Sequence, residues 1–266
     1  MSAPRPNILV FSASDPSGGA GLQADVLALA SLGCHPLSVV TAVTVQDTQG
    51  VRGILPIQAR WVAEQASVLL EDMKIAAIKL GVLGSAENAA AIAAIVADHP
   101  AVPLILDPVL ASGRGDSCAD EELLRAIGDQ LLPRATVLTP NSLEARRLVG
   151  EGADASLAEC ARRLTACGSK FVLITGTHEA TAEVVNVLYH GTGVVREDRW
   201  RRLPGSYHGS GCTLASAIAA HMARGLDVSE AVFQAQRYTW NALAAGFRPG
   251  AGQLIPDRLA NLRNEA

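Results

Sequence analysis

At 266 residues, with 49% hydrophobic and 18% charged residues, the chain is long and apolar enough to bury a full core, which excludes disorder and any need for covalent staples. Its net charge of −4 gives no basic footprint for nucleic acid, and five scattered cysteines (Cys34, Cys118, Cys160, Cys167, Cys212) without CxxC spacing read as reduced thiols of a cytoplasmic protein. The first residues, MSAPRPN, hold no apolar run, and no stretch approaches the roughly 18 apolar residues of a membrane span, so neither a signal peptide nor a membrane partner is expected.

Residues 7–12 (NILVFS) form the first short apolar run. The loop that follows, SASDPSGGAG, is built of small residues expected to expose backbone N–H groups at a strand end, with Asp25 one turn inside the helix of residues 22–32. Neither GxGxxG nor GxxxxGK[ST] occurs, which excludes the dinucleotide and Walker A fingerprints and makes a dinucleotide oxidoreductase a poor reading. Residues 37–45 are β-branched and strand-like. They lead to Gln46, whose amide sets a donor beside an acceptor, as the edge of an aminopyrimidine requires. A helix is predicted over 57–73, a strand over 76–80, and an Ala-rich helix capped by Ser85 to about 98.

The strand 104–106 ends at Asp107-Pro108, an acid placed either to order Mg²⁺ through water or to cap a turn. A helix over 121–132 and a strand over 136–139 precede Asn141-Ser142-Leu143-Glu144, a capping box that a purely structural role explains on its own. Ser156 caps a further helix to about 168. A strand over 171–175 and a hairpin of 184–189 with 194–196 follow. His178 and His208 lie near strand ends or glycines and have no metal spacing. Gly209-Ser210-Gly211-Cys212 opens a helix on which Leu214, Ile218 and Met222 share one face and which Gly225 stops. A last helix begins near Ser229.

Two glycines before a helix whose first N–H groups lack acceptors are the build of an anion site, and Cys212 in the first turn is expected to have a lowered thiol pKa. Strands alternating with helices predict a single three-layer α/β domain over residues 1–266, with a central, mostly parallel sheet flanked by helices. In such sheets ligands bind at the carboxyl ends of the strands, so the residues just after each strand are the ones expected to line a site.

SASDPSGGAGLQAD, TAVTVQDTQGV, KLGVLGS, LILDPV, TPNSLEA and HGSGCTLASAIA occur in the order seen in hydroxymethylpyrimidine/phosphomethylpyrimidine kinases of the ribokinase-like superfamily, and the chain resembles that family over about residues 7–258. The resemblance implies two successive ATP- and Mg²⁺-dependent phosphorylations of 4-amino-5-hydroxymethyl-2-methylpyrimidine in thiamine biosynthesis, by a homodimer. It implies that Gln46 reads the pyrimidine edge, that Gly19, Ala20 and Asp25 form the substrate end of the pocket, and that Val82 lies against the ring. Asn141, Glu144 and Asp107 correspond to residues that order metal and nucleotide phosphates, with Thr175 and Gly176 on the nucleotide side. Gly209, Ser210 and Gly211 correspond to the anion hole, and Cys212 stands where many ribokinase-like enzymes have a catalytic Asp. It is expected to accept the alcohol's proton, whereas the monophosphate, already ionised, needs no base.

One departure is the sequence Thr175-Gly176-Thr177-His178 where the family often has Lys-Gly-Gly-His, which leaves Arg114 as a candidate phosphate cation. The rival readings are a pyridoxal or pyridoxine kinase of the same fold and a pyrimidine-binding protein without catalysis. Gln46 argues for the aminopyrimidine.

Overall fold

The computed structural model describes residues 5–111, 115–116, 118–152 and 155–263. In chain order the elements are β1 (Asn7–Ser14), α1 (Gly21–Ser31), β2 (His35–Asp47), β3 (Gly50–Pro56), α2 (Ala59–Asp72), β4 (Ile75–Leu80), α3 (Ala86–Asp98), β5 (Leu104–Leu106), α4 (Glu121–Ala126), β6 (Val137–Leu138), α5 (Ser142–Leu148), α6 (Leu157–Ala166), β7 (Phe171–Thr175), β8 (Glu183–His190), β9 (Gly193–Arg201), α7 (Ser210–Ala223), α8 (Val228–Ala244) and α9 (Ala260–Arg263).

All the strands join one sheet of order β3-β2-β1-β4-β5-β6-β7-β8-β9. The run from β2 to β7 is parallel, while β3, β8 and β9 add antiparallel at the two ends. Both faces are covered, so the central strands are apolar throughout and alternate between two cores. Leu9, Phe11, Ile78, Leu80, Leu104 and Leu106 face the layer of α2, α3, α4 and α6. Ile8, Val10, Ala77 and Ile105 face α1, α7 and α8. With few aromatics, α7 fits against the sheet because its sheet-facing residues are mostly small, and it is buried over most of its length. No helix among the described residues is long and apolar enough to cross a membrane.

The predicted caps form. Ser85 Oγ accepts from Asn88 N, Ser156 Oγ from Glu159 N, and Asn141 with Glu144 makes a complete capping box. Gly225 takes φ +92° just beyond α7. Three expectations change. β3 is unforeseen: GVRGILP pairs back on β2 as a hairpin, with its Pro at the sheet edge, where no ladder partner is needed. The helix expected over 121–132 is α-helical only to Ala126. It continues as a π turn over Ile127–Leu131 and a 3₁₀ turn over Leu132–Arg134, since Pro133 has no N–H to extend an α-helix. β9 runs on to Arg201 along the sheet edge, its residues from Val195 onward alternating between exposed and half-buried.

Candidate active site

The carboxyl ends of β1, β4, β5, β6 and β7 form one row, with the N-terminus of α7 above it. Gly209 opens α7 at φ +81°. A Cβ there would lie 2.0 Å from Gly19 O and 2.9 Å from Ala20 Cα, so only glycine lets the two loops meet. No side chain caps α7, so the first N–H groups of the helix, at Ser210, Gly211 and Cys212, have no intrahelical acceptor. A Cβ on Gly211 would stand 3.7 Å from both carboxylate oxygens of Asp107, which puts that acid against the first turn of α7.

Asp107 ends β5, is 4% exposed, and its Oδ2 has no hydrogen-bond partner among the described residues. Burial pushes its pKa up to about 6, against the pull of the Lys79 charge and of the neighbouring Cys212 thiol. Cys212 corrects the sequence expectation. Its thiol is pushed up to about 12, because burial outweighs the Lys79 charge, and the charges of Asp107 and Asp25 raise it further. A helix terminus lowers a thiol's pKa when the thiol is partly solvated; this one is sealed.

Beneath them lies a buried ion pair. Lys79 Nζ donates to Asp25 Oδ1 at 2.9 Å and Oδ2 at 3.0 Å, and Ser216 Oγ of α7 donates to Asp25 Oδ1 at 2.7 Å. Both charged side chains are fully buried. Asp25, expected at the substrate end, therefore has its carboxylate taken up inside the protein and offers no free oxygen to a ligand. Burial works against the Lys79 charge, but Asp25, Cys212 and Asp107 outweigh it and raise its pKa above the ordinary lysine value.

The loop after β1 also differs from expectation. Its N–H groups are not exposed. Ser17 N donates to Asp15 Oδ1, Ala20 N to Asp15 Oδ2, Gly18 N to Asp15 O and Gly19 N to Ser17 Oγ. His208 Nε2 meets Asp15 Oδ2 at 2.9 Å, and a Cβ on Gly19 would strike the His208 ring. Arg258, 2% exposed, donates through Nη2 to Gly19 O and through Nε to Thr213 Oγ1. Gly19 and Ala20 thus form a rigid wall clamped to the start of α7.

Across the crevice, half-buried Gln46 sits on the β2–β3 hairpin. Its Nε2 donates to Thr44 Oγ1, which donates in turn to Ser14 O. Val82, also half-buried, follows β4, and its carbonyl accepts from Thr41 Oγ1.

At the other end, Asn141 Oδ1 accepts from Leu143 N and Glu144 N, while Glu144 accepts from Asn141 N at 2.9 Å and Leu110 N at 3.3 Å. Burial, and next the Asp107 charge, push Glu144 up to about 8. Asn141 bridges Thr175, and Gly176 N donates to Asn186 Oδ1. Among the described residues no group of three or more His, Cys, Asp or Glu forms a metal cage. Two facing acids, one with a free buried oxygen, instead fit a Mg²⁺ ion that keeps waters and phosphate oxygens as its remaining ligands. Arg114 lies outside the described residues.

Sequence reasoning missed Lys79, Asp15, His208 as Asp15's partner, and Arg258. Lys79 had a legible signal: a lone charge inside the run IAAIKLGVLG, on a strand covered on both faces. Asp15 and Arg258, in loops far apart in the chain, had none.

A family model described as phosphomethylpyrimidine kinase matches residues 15–257. The chain is 38% identical over 263 residues to the hydroxymethylpyrimidine/phosphomethylpyrimidine kinase of Streptomyces coelicolor, spanning 95% of this chain and 96% of that one. It is 37% identical to the thiamine biosynthesis bifunctional protein ThiED of Geobacter sulfurreducens over 94% of its own length, and spans about half, 51%, of that longer protein. Among solved structures it resembles the pyridoxal kinase from Staphylococcus aureus in complex with AMP-PCP and pyridoxal, with a TM-score of 0.86 at 27% identity, over 98% of this chain and 96% of that one.

Proposed function

The chain belongs to the phosphomethylpyrimidine kinase family, and we propose that it transfers phosphate from ATP to 4-amino-5-hydroxymethyl-2-methylpyrimidine and then to the resulting monophosphate, on the path to thiamine. One observation carries this reading: the uncapped, glycine-opened N-terminus of α7 stands directly over the Asp107 carboxylate, with Gln46 across the crevice. The whole of 1–266 works as a single kinase domain. It pairs as a homodimer in the cytoplasm, a reading supported by the exposed Val43, Val45 and Leu55 on the β2–β3 hairpin and by five free cysteines, with the mass in solution as the test of pairing.

Phosphoryl transfer requires positioning and charge neutralisation more than covalent help. The N–H groups of Ser210, Gly211 and Cys212 receive the equatorial oxygens of the transferring group. Gln46 and Val82 hold the ring, and the Gly19–Ala20 wall closes its far side. Asn141, Thr175 and Gly176 lie along the nucleotide. Asp107 Oδ2 would hold Mg²⁺, with Glu144 ordering its waters; when bound, the ion neutralises the nucleotide phosphates.

In the first step the alcohol's O–H bond breaks as the new O–P bond forms and ADP leaves. A thiol held near 12 does not take that proton as a free base. It passes one on: Sγ receives the alcohol's proton while its own moves to the neighbouring Asp107 carboxylate. In the second step the acceptor is a phosphate monoester, largely dianionic at neutral pH, and needs no base.

Gln46→Leu tests the substrate assignment. Loss of the amide should reduce kcat/KM for the pyrimidine alcohol by ~10- to 100-fold. Unchanged kinetics would remove Gln46 from the site.

A further inference from the structure

Three positions on adjacent strands lie side by side at the α7 face of the sheet: Ser12 of β1, Gly81 after β4 and Asp107 after β5. Gly81 N donates to Phe11 O, and Asp107 N donates to Leu80 O, so the row is held in register by the backbone. Lys79 points to the same face two residues earlier. A Cβ on Gly81 would fall 2.8 Å from Lys79 Nζ and 2.6 Å from Ser12 Oγ. The missing side chain at Gly81 is the room through which the ammonium reaches the level of Ser12 and Asp107. Ser12 Oγ and Asp107 Oδ2 are both buried there without hydrogen-bond partners among the described residues.

From this geometry, and resting on the kinase reading above, we propose that Lys79 is a positioning residue of the reaction, the fixed positive charge at the foot of the anion hole. Asp25 anchors the ammonium through two bonds, and Ser216 ties Asp25 to the second turn of α7. The helix that receives the phosphoryl group and the cation beneath it are thereby held as one unit. Negative charge gathering at the N-terminus of α7 in the transition state meets an ammonium in a dry, low-dielectric setting, where fixed charge acts most strongly. No step passes a proton through Lys79, and it touches no substrate.

The test separates charge from packing. Lys79→Met alone strands a buried carboxylate and should lower both stability and activity. The double variant Asp25→Asn/Lys79→Met removes the pair together and keeps an acceptor for Ser216. Replacing a buried ion pair with neutral groups is often tolerated, so the double variant should recover most of the thermal stability lost by the single one. Its kcat should stay about 10²-fold below wild type, with pyrimidine and ATP KM values within a few-fold. Recovery of kcat along with stability would reduce Lys79 to a structural ion pair and overturn the proposal. If the double variant fails to fold, partially active Lys79→Met decides by calorimetry. Affinity for ADP should be kept, and affinity for ADP with aluminium fluoride, which mimics the transferring group, should fall at least tenfold. An equal loss for both ligands would also overturn it. Turnover by the wild-type chain tests the kinase reading separately: no pyrimidine phosphorylation at all would sink that reading, whatever the variants do.

Discussion

At the scale of single residues, Cys212 is where burial reverses a local rule. With the thiol pushed up to about 12 beside the Asp107 charge, the property that the proposed mechanism uses is the ability to carry a proton between two oxygens. Cys212→Ala should therefore slow phosphorylation of the alcohol by ~10²-fold and that of the monophosphate much less. Cys212→Ser, which restores an exchangeable proton, should recover part of the loss on the alcohol. Rates measured with each substrate at saturating ATP decide this; equal loss on both would make Cys212 a wall of the phosphate pocket. Glu144→Gln leaves a side chain that still completes the capping box, so the fold should survive. Only the capacity to ionise, and so to order Mg²⁺ as proposed above, goes, and the Mg²⁺ concentration for half-maximal rate should rise several-fold. An unchanged Mg²⁺ curve would leave Glu144 as a cap alone. The placement of Asp107, Asn141 and Glu144 at the sheet's carboxyl edge was legible because each comes just after a recognisable apolar strand. The occupied carboxylate of Asp25 was not, since its partners Lys79 and Ser216 lie 54 and 191 residues away.

At the scale of elements, α7 combines an uncapped N-terminus, the proposed anion site, with an unusual burden at the other end. His221 is 9% exposed, and neither ring nitrogen has a hydrogen-bond partner among the described residues. Burial first, then the charges of Arg224 and Arg237, push its pKa down to about 4. A histidine neutral in the fold and ordinary when unfolded contributes stability that is present above about pH 6.5 and is lost as pH falls toward 4, by roughly 3 kcal/mol in full. His221→Leu should flatten that slope and raise the melting temperature more at pH 5 than at pH 8. Parallel curves for the two proteins would show that His221 is not the titrating group. The helices and parallel strands were readable from period and caps, because burial on both faces demands continuous apolar runs. β3 was not, because GVRGILP at a sheet edge needs neither an apolar run nor strict alternation. The break after Ala126 traces to Pro133, seven residues on, which local propensity at the break does not signal.

At the scale of the whole molecule, the fold narrows the chemistry without choosing the ring. The same nine-stranded scaffold overlays a pyridoxal kinase at a TM-score of 0.86, although identity is higher, 38%, to a hydroxymethylpyrimidine/phosphomethylpyrimidine kinase. Sheet, glycine-opened helix and acid pair supply a phosphoryl-transfer frame that serves any small hydroxymethylated ring. On the proposed reading the choice falls to the few groups that would face the ring, and Gln46, on a hairpin at the sheet edge, is the one proposed to pair with an aminopyrimidine. The most direct measurement is product analysis by mass spectrometry after incubation with ATP, Mg²⁺ and, separately, 4-amino-5-hydroxymethyl-2-methylpyrimidine, its monophosphate and pyridoxal. The expected result is conversion of the first to mono- and diphosphate and of the second to diphosphate, with pyridoxal phosphorylated far more slowly or not at all. Faster phosphorylation of pyridoxal, or a pyrimidine reaction that stops at the monophosphate, would contradict it.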